Sequence, residues 1–170
     1  MTAATTLTTD RLILRQPQAS DLPAYTAYCA SPRTHFVGGP FDTVKAFDKF
    51  AAIAGHWTLR GFGRYIMEQD GAPIGHVGPM QLDATKPAEF TWTLWDGAYE
   101  GRGLATEAAC RVRDHLLGDL GWPEMIIHVM PDNTGSIAIA QRIGATLTDE
   151  PAPEWYDGAL VYHLRAEVPA

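Results

Sequence analysis

The chain has 170 residues, 46% of them hydrophobic and 19% charged, a balance that argues against disorder and fits one domain with a sizeable core. Its formal charge of −7 argues against a phosphate-neutralising nucleic-acid surface and suits cationic partners such as amines. No apolar run approaches the roughly 18 residues of a membrane span.

Met1 to Thr9 has no basic start followed by an apolar stretch, so a secretory leader is not expected. With only Cys29 and Cys110 present, buried reduced thiols in a cytoplasmic protein are expected. Thr9 to Arg15 reads as a strand, with Leu12 and Leu14 alternating against Arg11 and Arg15. Ser20-Asp21-Leu22-Pro23 opens a helix to about Cys29. Asp42 to Leu59 carries Val44, Phe47, Phe50, Ala51, Ala54 and Trp57 at helical spacing. The period then changes to two. Arg64–Gln69 and Ile74–Leu82 read as strands joined at Asp70-Gly71, a hairpin signal. Glu89–Trp95 is a further strand.

Gly103 to Leu120 repeats Leu104, Ala108, Val112, Leu116 and Leu120 every four residues, with Glu107 placed to support Arg111 at i,i+4. Gly121 and Pro123 end it. Met125–Met130 is a short strand, Asn133–Ile143 a helix ended by Gly144, and Ala145–Thr148 and Ala159–Leu164 close the sheet. The fold class is α/β (α+β). It is a mixed sheet of about seven strands flanked by about four helices, with both strand–helix crossovers in the second half.

Between Trp95 and Ala108 a strand ends, glycines follow and a long helix begins. Free N–H groups at a helix start, approached over glycine, bind anions. Glycine that merely satisfies a tight turn is the alternative. A P-loop requires Gly-Lys-Ser/Thr, and no Lys lies here. A dinucleotide fingerprint requires a third glycine where Thr106 stands. A pyrophosphate on another cofactor remains.

The blocks Thr9–Arg15, Ile74–Gly78, Gly101–Ala108, Pro131–Ser136 and Arg142–Ala145 together resemble the GNAT N-acetyltransferase superfamily. The resemblance is closest to the branch that acetylates ribosomal-protein N-termini and many unrelated amines, and it covers nearly the whole chain. It implies a single acetyltransferase domain over 1–170, with a mostly antiparallel twisted sheet and a splayed central strand pair. It also implies acetyl-CoA as co-substrate. Leu94, Trp95, Glu100, Gly101, Arg102, Gly103, Leu104, Ala105, Thr106, Asn133 and Ser136 are then expected at the cofactor. Three departures stand out: Glu100 where Gln or Arg is common, Gly135 where Ala is, and Thr91-Trp92 where Gly-Tyr is.

The expected activity is acetyl transfer to a primary amine. The amine must lose a proton, the oxyanion needs donors, and the thiolate must depart. Glu89, at the head of its strand, is the expected base, directly or through water, with Glu68 as the second candidate. Backbone N–H groups near Leu94 and Trp95, at a bulge the family carries, would serve the oxyanion. Ser136 would stand beside the sulfur and Asn133 at the pantetheine arm, although both also suit helix capping.

His128 is a further candidate base, read in preference as a satisfied core or rim histidine. No histidine or cysteine spacing suggests a metal. Trp57, Phe36, Tyr65, Trp92 and Trp95 are read mainly as core, and residues 35–40 as an acceptor loop. A protein N-terminus, polyamine, amino acid or aminoglycoside is compatible as acceptor, and a homodimer is compatible too. The competing class is a non-catalytic acyl-CoA-binding or sensor module on the same fold.

Overall fold

A computed structural model describes residues 2–167. Its strands form one sheet: β1 (Thr6–Thr8), β2 (Ile13–Arg15), β3 (Tyr65–Gln69), β4 (Ala72–Met80), β5 (Glu89–Leu94), β6 (Glu124–Val129), β7 (Thr146–Leu147) and β8 (Leu160–Arg165). The spatial order is β1-β2-β3-β4-β5-β6-β8-β7. Every neighbouring pair is antiparallel except β5–β6, which is parallel. The helices are α1 (Leu22–Ala30), α2 (Thr43–Arg60), α3 (Leu104–Arg113) and α4 (Thr134–Arg142).

The segment 9–15, expected as one strand, is a turn followed by β2. The Thr9 N–H donates to Leu12 O at 3.0 Å and the Leu12 N–H donates back to Thr9 Oγ1, so the chain reverses and β1 pairs with β2. The sheet therefore has eight strands. The β3–β4 hairpin forms at Asp70-Gly71, both left-handed with φ of 50° and 81°, as its two-residue turn requires.

Side-chain alternation divides the sheet into two faces. Tyr65, Met67, Val77 and Phe90 pack with Leu104, Ala108, Val112 and Ala140 of α3 and α4. On the other face Ile66 and Trp95 pack with Tyr25, Cys29, Phe50 and Ile53 of α1 and α2. The buried stripe of α2 is Ala46, Phe50, Ile53 and Trp57, while Val44 and Phe47 are exposed. The expected helix over 103–120 is α3 continued by a wider, π-helical turn at Asp114–Asp119. There His115 is held between Asp119 Oδ2 and the Ala4 N–H, both at 3.0 Å. Cys29 and Cys110 are free thiols.

Candidate active site

Two glycines with positive φ, Gly101 at 70° and Gly103 at 74°, shape the turn before α3. Glu107 N–H donates to Gly103 O at 3.0 Å, so the amides of residues 104–106 precede the first helical bond and face outward. An anchor outside the turn holds it in place. Thr9 Oγ1 donates to Glu107 Oε1 at 2.6 Å, the Arg11 Nε donates to Oε2 at 2.7 Å, and Arg11 Nη1 donates to Arg102 O at 2.8 Å. Partial burial raises the Glu107 pKa, but these donors outweigh it and leave the carboxyl below its usual range. Glu107 thus bonds to the distant Thr9–Leu12 turn rather than to Arg111.

β5 and β6 share one bridge, Glu89 with Ile126, and then part. Past that point the N–H groups of Trp92 and Leu94 face the gap, because the Trp95 N–H points the other way and donates to Ile74 O at 2.8 Å. Trp95 is therefore not an oxyanion donor. Its indole donates to His76 Nδ1 at 2.9 Å inside the core. The β4–β5 register is regular over all its pairs, so the expected bulge is absent from it; the irregularity in this region falls between β3 and β4 at Met67/Glu68.

The gap opens into a cleft of about 1400 Å³ lined from both faces of the sheet. Of the residues expected at the cofactor, Leu94, Glu100, Gly101, Gly103, Leu104, Ala105, Thr106, Asn133 and Ser136 line it. Arg102 does not; its carbonyl takes the Arg11 bond and its guanidinium lies 5.8 Å from the Tyr99 ring. Asn133 caps α4, its Oδ1 accepting from the Ser136 N–H at 3.2 Å. Ser136 Oγ accepts from Trp92 Nε1 at 3.3 Å, which leaves the hydroxyl proton free to point elsewhere. Glu100, on the rim, is paired with Arg33 Nη2 at 2.7 Å, and Arg33 also donates to Leu94 O.

On the opposite face Glu89 lies in the cleft with its Oε1 3.2 Å from His128 Nδ1, both side chains about 15% exposed. The contact has ion-pair distance without hydrogen-bond alignment. His128 is thus a cleft residue. Glu68 is not; Arg15 holds it, together with the buried Asp21. Trp57, Tyr65 and Trp95 are core, whereas Phe36 and Trp92 line the cleft.

Sequence reasoning missed Trp155 and Tyr156, which cover the mouth. Tyr156 OH donates to Phe36 O at 2.8 Å, and the Trp155 ring meets His128 edge-on at 5.5 Å. Their only sequence signal is an aromatic pair in a Pro-rich loop.

The chain that builds this glycine turn beside a split parallel pair is matched over residues 11–146 by a sequence model of the acetyltransferase (GNAT) domain. The chain belongs to the GNAT acetyltransferase family. An acetyltransferase from Agrobacterium tumefaciens is similar over 97% of this chain and 96% of that one, at 36% identity and a TM-score of 0.86. Two more distant structures share the fold. A ribosomal L7/L12 α-N-protein acetyltransferase solved with coenzyme A has 17% identity and a TM-score of 0.75, over 97% of this chain and 98% of that one. A microcin C7 self-immunity acetyltransferase solved with acetyl-CoA and AMP has 18% identity and a TM-score of 0.75, over 92% and 93%. Among the described residues no helix is long and apolar enough to cross a membrane. The family's co-substrate, acetyl-CoA, fits the outward amides of the α3 turn and the gap beside β5.

Proposed function

We propose that this GNAT protein transfers the acetyl group of acetyl-CoA to a primary amine by direct attack on the thioester. The observation that carries this reading is the single-bridge gap between β5 and β6, which joins the two faces of the sheet. The pyrophosphate would sit on the amides of 104–106, and the pantetheine arm would run along β5 past Asn133. The acceptor would enter from the α1/α2 face, where Glu89 and His128 stand.

An alkylammonium has a pKa of about 10.4 and must lose a proton before its nitrogen can attack. Glu89, directly or through water, accepts that proton, and His128 at 3.2 Å can share the charge. As the nitrogen–carbon bond forms, charge builds on the carbonyl oxygen. The N–H groups of Trp92 and Leu94 face the gap where that oxygen would lie. As the carbon–sulfur bond breaks, the attacking nitrogen gives up its second proton, which ends on the departing sulfur, and Ser136, whose oxygen already accepts from Trp92, donates a hydroxyl hydrogen bond to the thiolate.

The test is thiol release from acetyl-CoA across a panel of amines. Acceptor-dependent release that falls in Glu89→Gln supports the reading. Tight CoA binding with no release for any amine would support a sensor instead.

A further inference from the structure

We propose that Arg64 is the acceptor-specificity residue, binding a carboxylate carried by the amine, so that the acceptor is a small amino acid rather than a polycation. This rests on the acetyltransfer reading above. Arg64 lines the α1/α2 side of the cleft, and its guanidinium has no hydrogen-bond or ion-pair partner among the described residues. Arg33 is paired with Glu100, Arg11 with Glu107 and Arg60 with the carbonyls of Gln81 and Leu82, while Arg142, also without a partner among the described residues, lines the cleft from α4 on the opposite face. Lys49, the neighbouring cation, lies over the Phe41 ring at 4.3 Å.

The two histidines of α2 and β4 that line this side add no charge. His56 Nδ1 donates to Phe62 O and its Nε2 accepts from the Gln81 N–H. Burial pushes the pKa of His56 down and that of His76 well down, and both are neutral. Burial also pushes the Arg64 guanidinium down, against the upward pull of Tyr25 and Glu89. Arg64 is half-buried, and a cation partly withdrawn from water without a partner gains by binding an anion.

The fold gives this cation room. Tyr65 pairs with Val77 and Gly78 with Thr91, so Arg64, Gly78 and Thr91 form a row across β3, β4 and β5 on the face that carries Glu89. Gly78 has φ of 138°, and a Cβ there would fall 2.9 Å from Gly63 O and 3.2 Å from the Arg64 Cα. The close approach of the neighbouring backbone thus requires glycine there, and the middle of the row carries no side chain. Two strand spacings, roughly 10 Å, separate the strand of Arg64 from that of the base. A guanidinium reaching over Gly78 and a small zwitterion fill that span, with the amine toward Glu89 and the carboxylate on the planar guanidinium. Among the described residues Arg64 is the one arginine lining this face without a partner, and its single guanidinium matches one carboxylate. The Tyr156–Phe36 bond across the mouth favours a compact acceptor.

The test uses matched acceptors: an α-amino acid, its carboxamide, its decarboxylated amine and its phosphonate analogue, with the intact wild type, Arg64→Lys and Arg64→Gln. Wild type is expected to prefer the carboxylate over the amide and the plain amine by about 10-fold or more in kcat/KM. Arg64→Gln should collapse that ratio toward one, with Arg64→Lys between. Equal or better use of the amide and amine overturns the proposal, and a preference for the phosphonate overturns the carboxylate assignment. Arg64→Met, which removes an unpaired, half-buried charge, should not lower the melting temperature without ligand; a lower melting temperature would mean that Arg64 is structural and would overturn it. Calorimetry with the N-acetylated amino acid and its amide separates the two readings. Arg64-dependent binding of the acid without any acetyl transfer keeps the anion site and overturns acetyltransfer. Equal binding of both overturns the anion site.

Discussion

Arg11 and Glu107, 96 residues apart, are joined by a charge-assisted hydrogen bond of 2.7 Å that fixes the α3 turn from behind. Arg11 also holds the Arg102 carbonyl, so the pair sets the direction of the amides on the far side. Glu107→Gln and Arg11→Ala should raise KM for acetyl-CoA about 5- to 10-fold while kcat at saturation stays within about twofold. Steady-state kinetics with acetyl-CoA titration measure both. Because the carboxyl is held below its ordinary range, the pair's contribution to stability is complete above about pH 4.3 and is lost as pH falls through the lower folded value. Wild type should therefore lose more stability on acidification than Glu107→Gln, as paired melts would show.

Glu89→Gln should lower turnover roughly 10²- to 10⁴-fold and remove the acidic limb of the pH–rate profile. His128→Gln should give a smaller loss and move that limb, because the imidazole contacts the carboxylate without replacing it. A profile unchanged in both variants would return the pair to a structural role.

Ser136→Ala should slow turnover roughly 10- to 100-fold with little change in CoA affinity. Trp92→Phe removes the donor to Ser136 Oγ and should move turnover in the same direction by less. Asn133→Ala should cost about 1 kcal/mol as a lost cap and weaken CoA binding. Thermal melts beside kinetics separate these outcomes: a lower melting point with intact turnover in Ser136→Ala makes that residue a cap only.

Gly103→Val should weaken CoA binding about 5- to 30-fold through the backbone. A Cβ there would meet only Arg11 Nη2, at an ordinary 3.6 Å, but φ is 74° and that conformation costs a β-carbon residue about 1 to 2 kcal/mol. Gly103→Asn, which tolerates it better, should lose less affinity in calorimetry. Equal affinity of Gly103→Val and wild type would remove the turn from the binding site.

What the sequence made legible was local. The Asp70-Gly71 hairpin, the Asn133 cap and the glycine turn each draw their conformation from neighbouring residues. The two ends of Thr9–Arg15 alternate like one strand because a tight turn between short strands barely disturbs a period of two. Glu107 reads as a partner for Arg111 because helical spacing is visible, whereas a bond to Arg11 leaves no periodic trace. The meeting of Glu89 and His128 depends on two strands that are parallel neighbours without being sequence neighbours, and the free cation at Arg64 shows only once Arg33 and Arg60 are seen to have partners elsewhere.

The lone Glu89–Ile126 bridge divides the hydrogen-bonded ladder into two blocks, β1–β5 and β6–β8. Each block can exchange its amides with solvent on its own schedule, since separating them breaks little ladder. A ligand lodged in the seam acts as a rivet. CoA should slow deuterium uptake along β5 and β6 together, and the midpoint of unfolding should climb with its concentration.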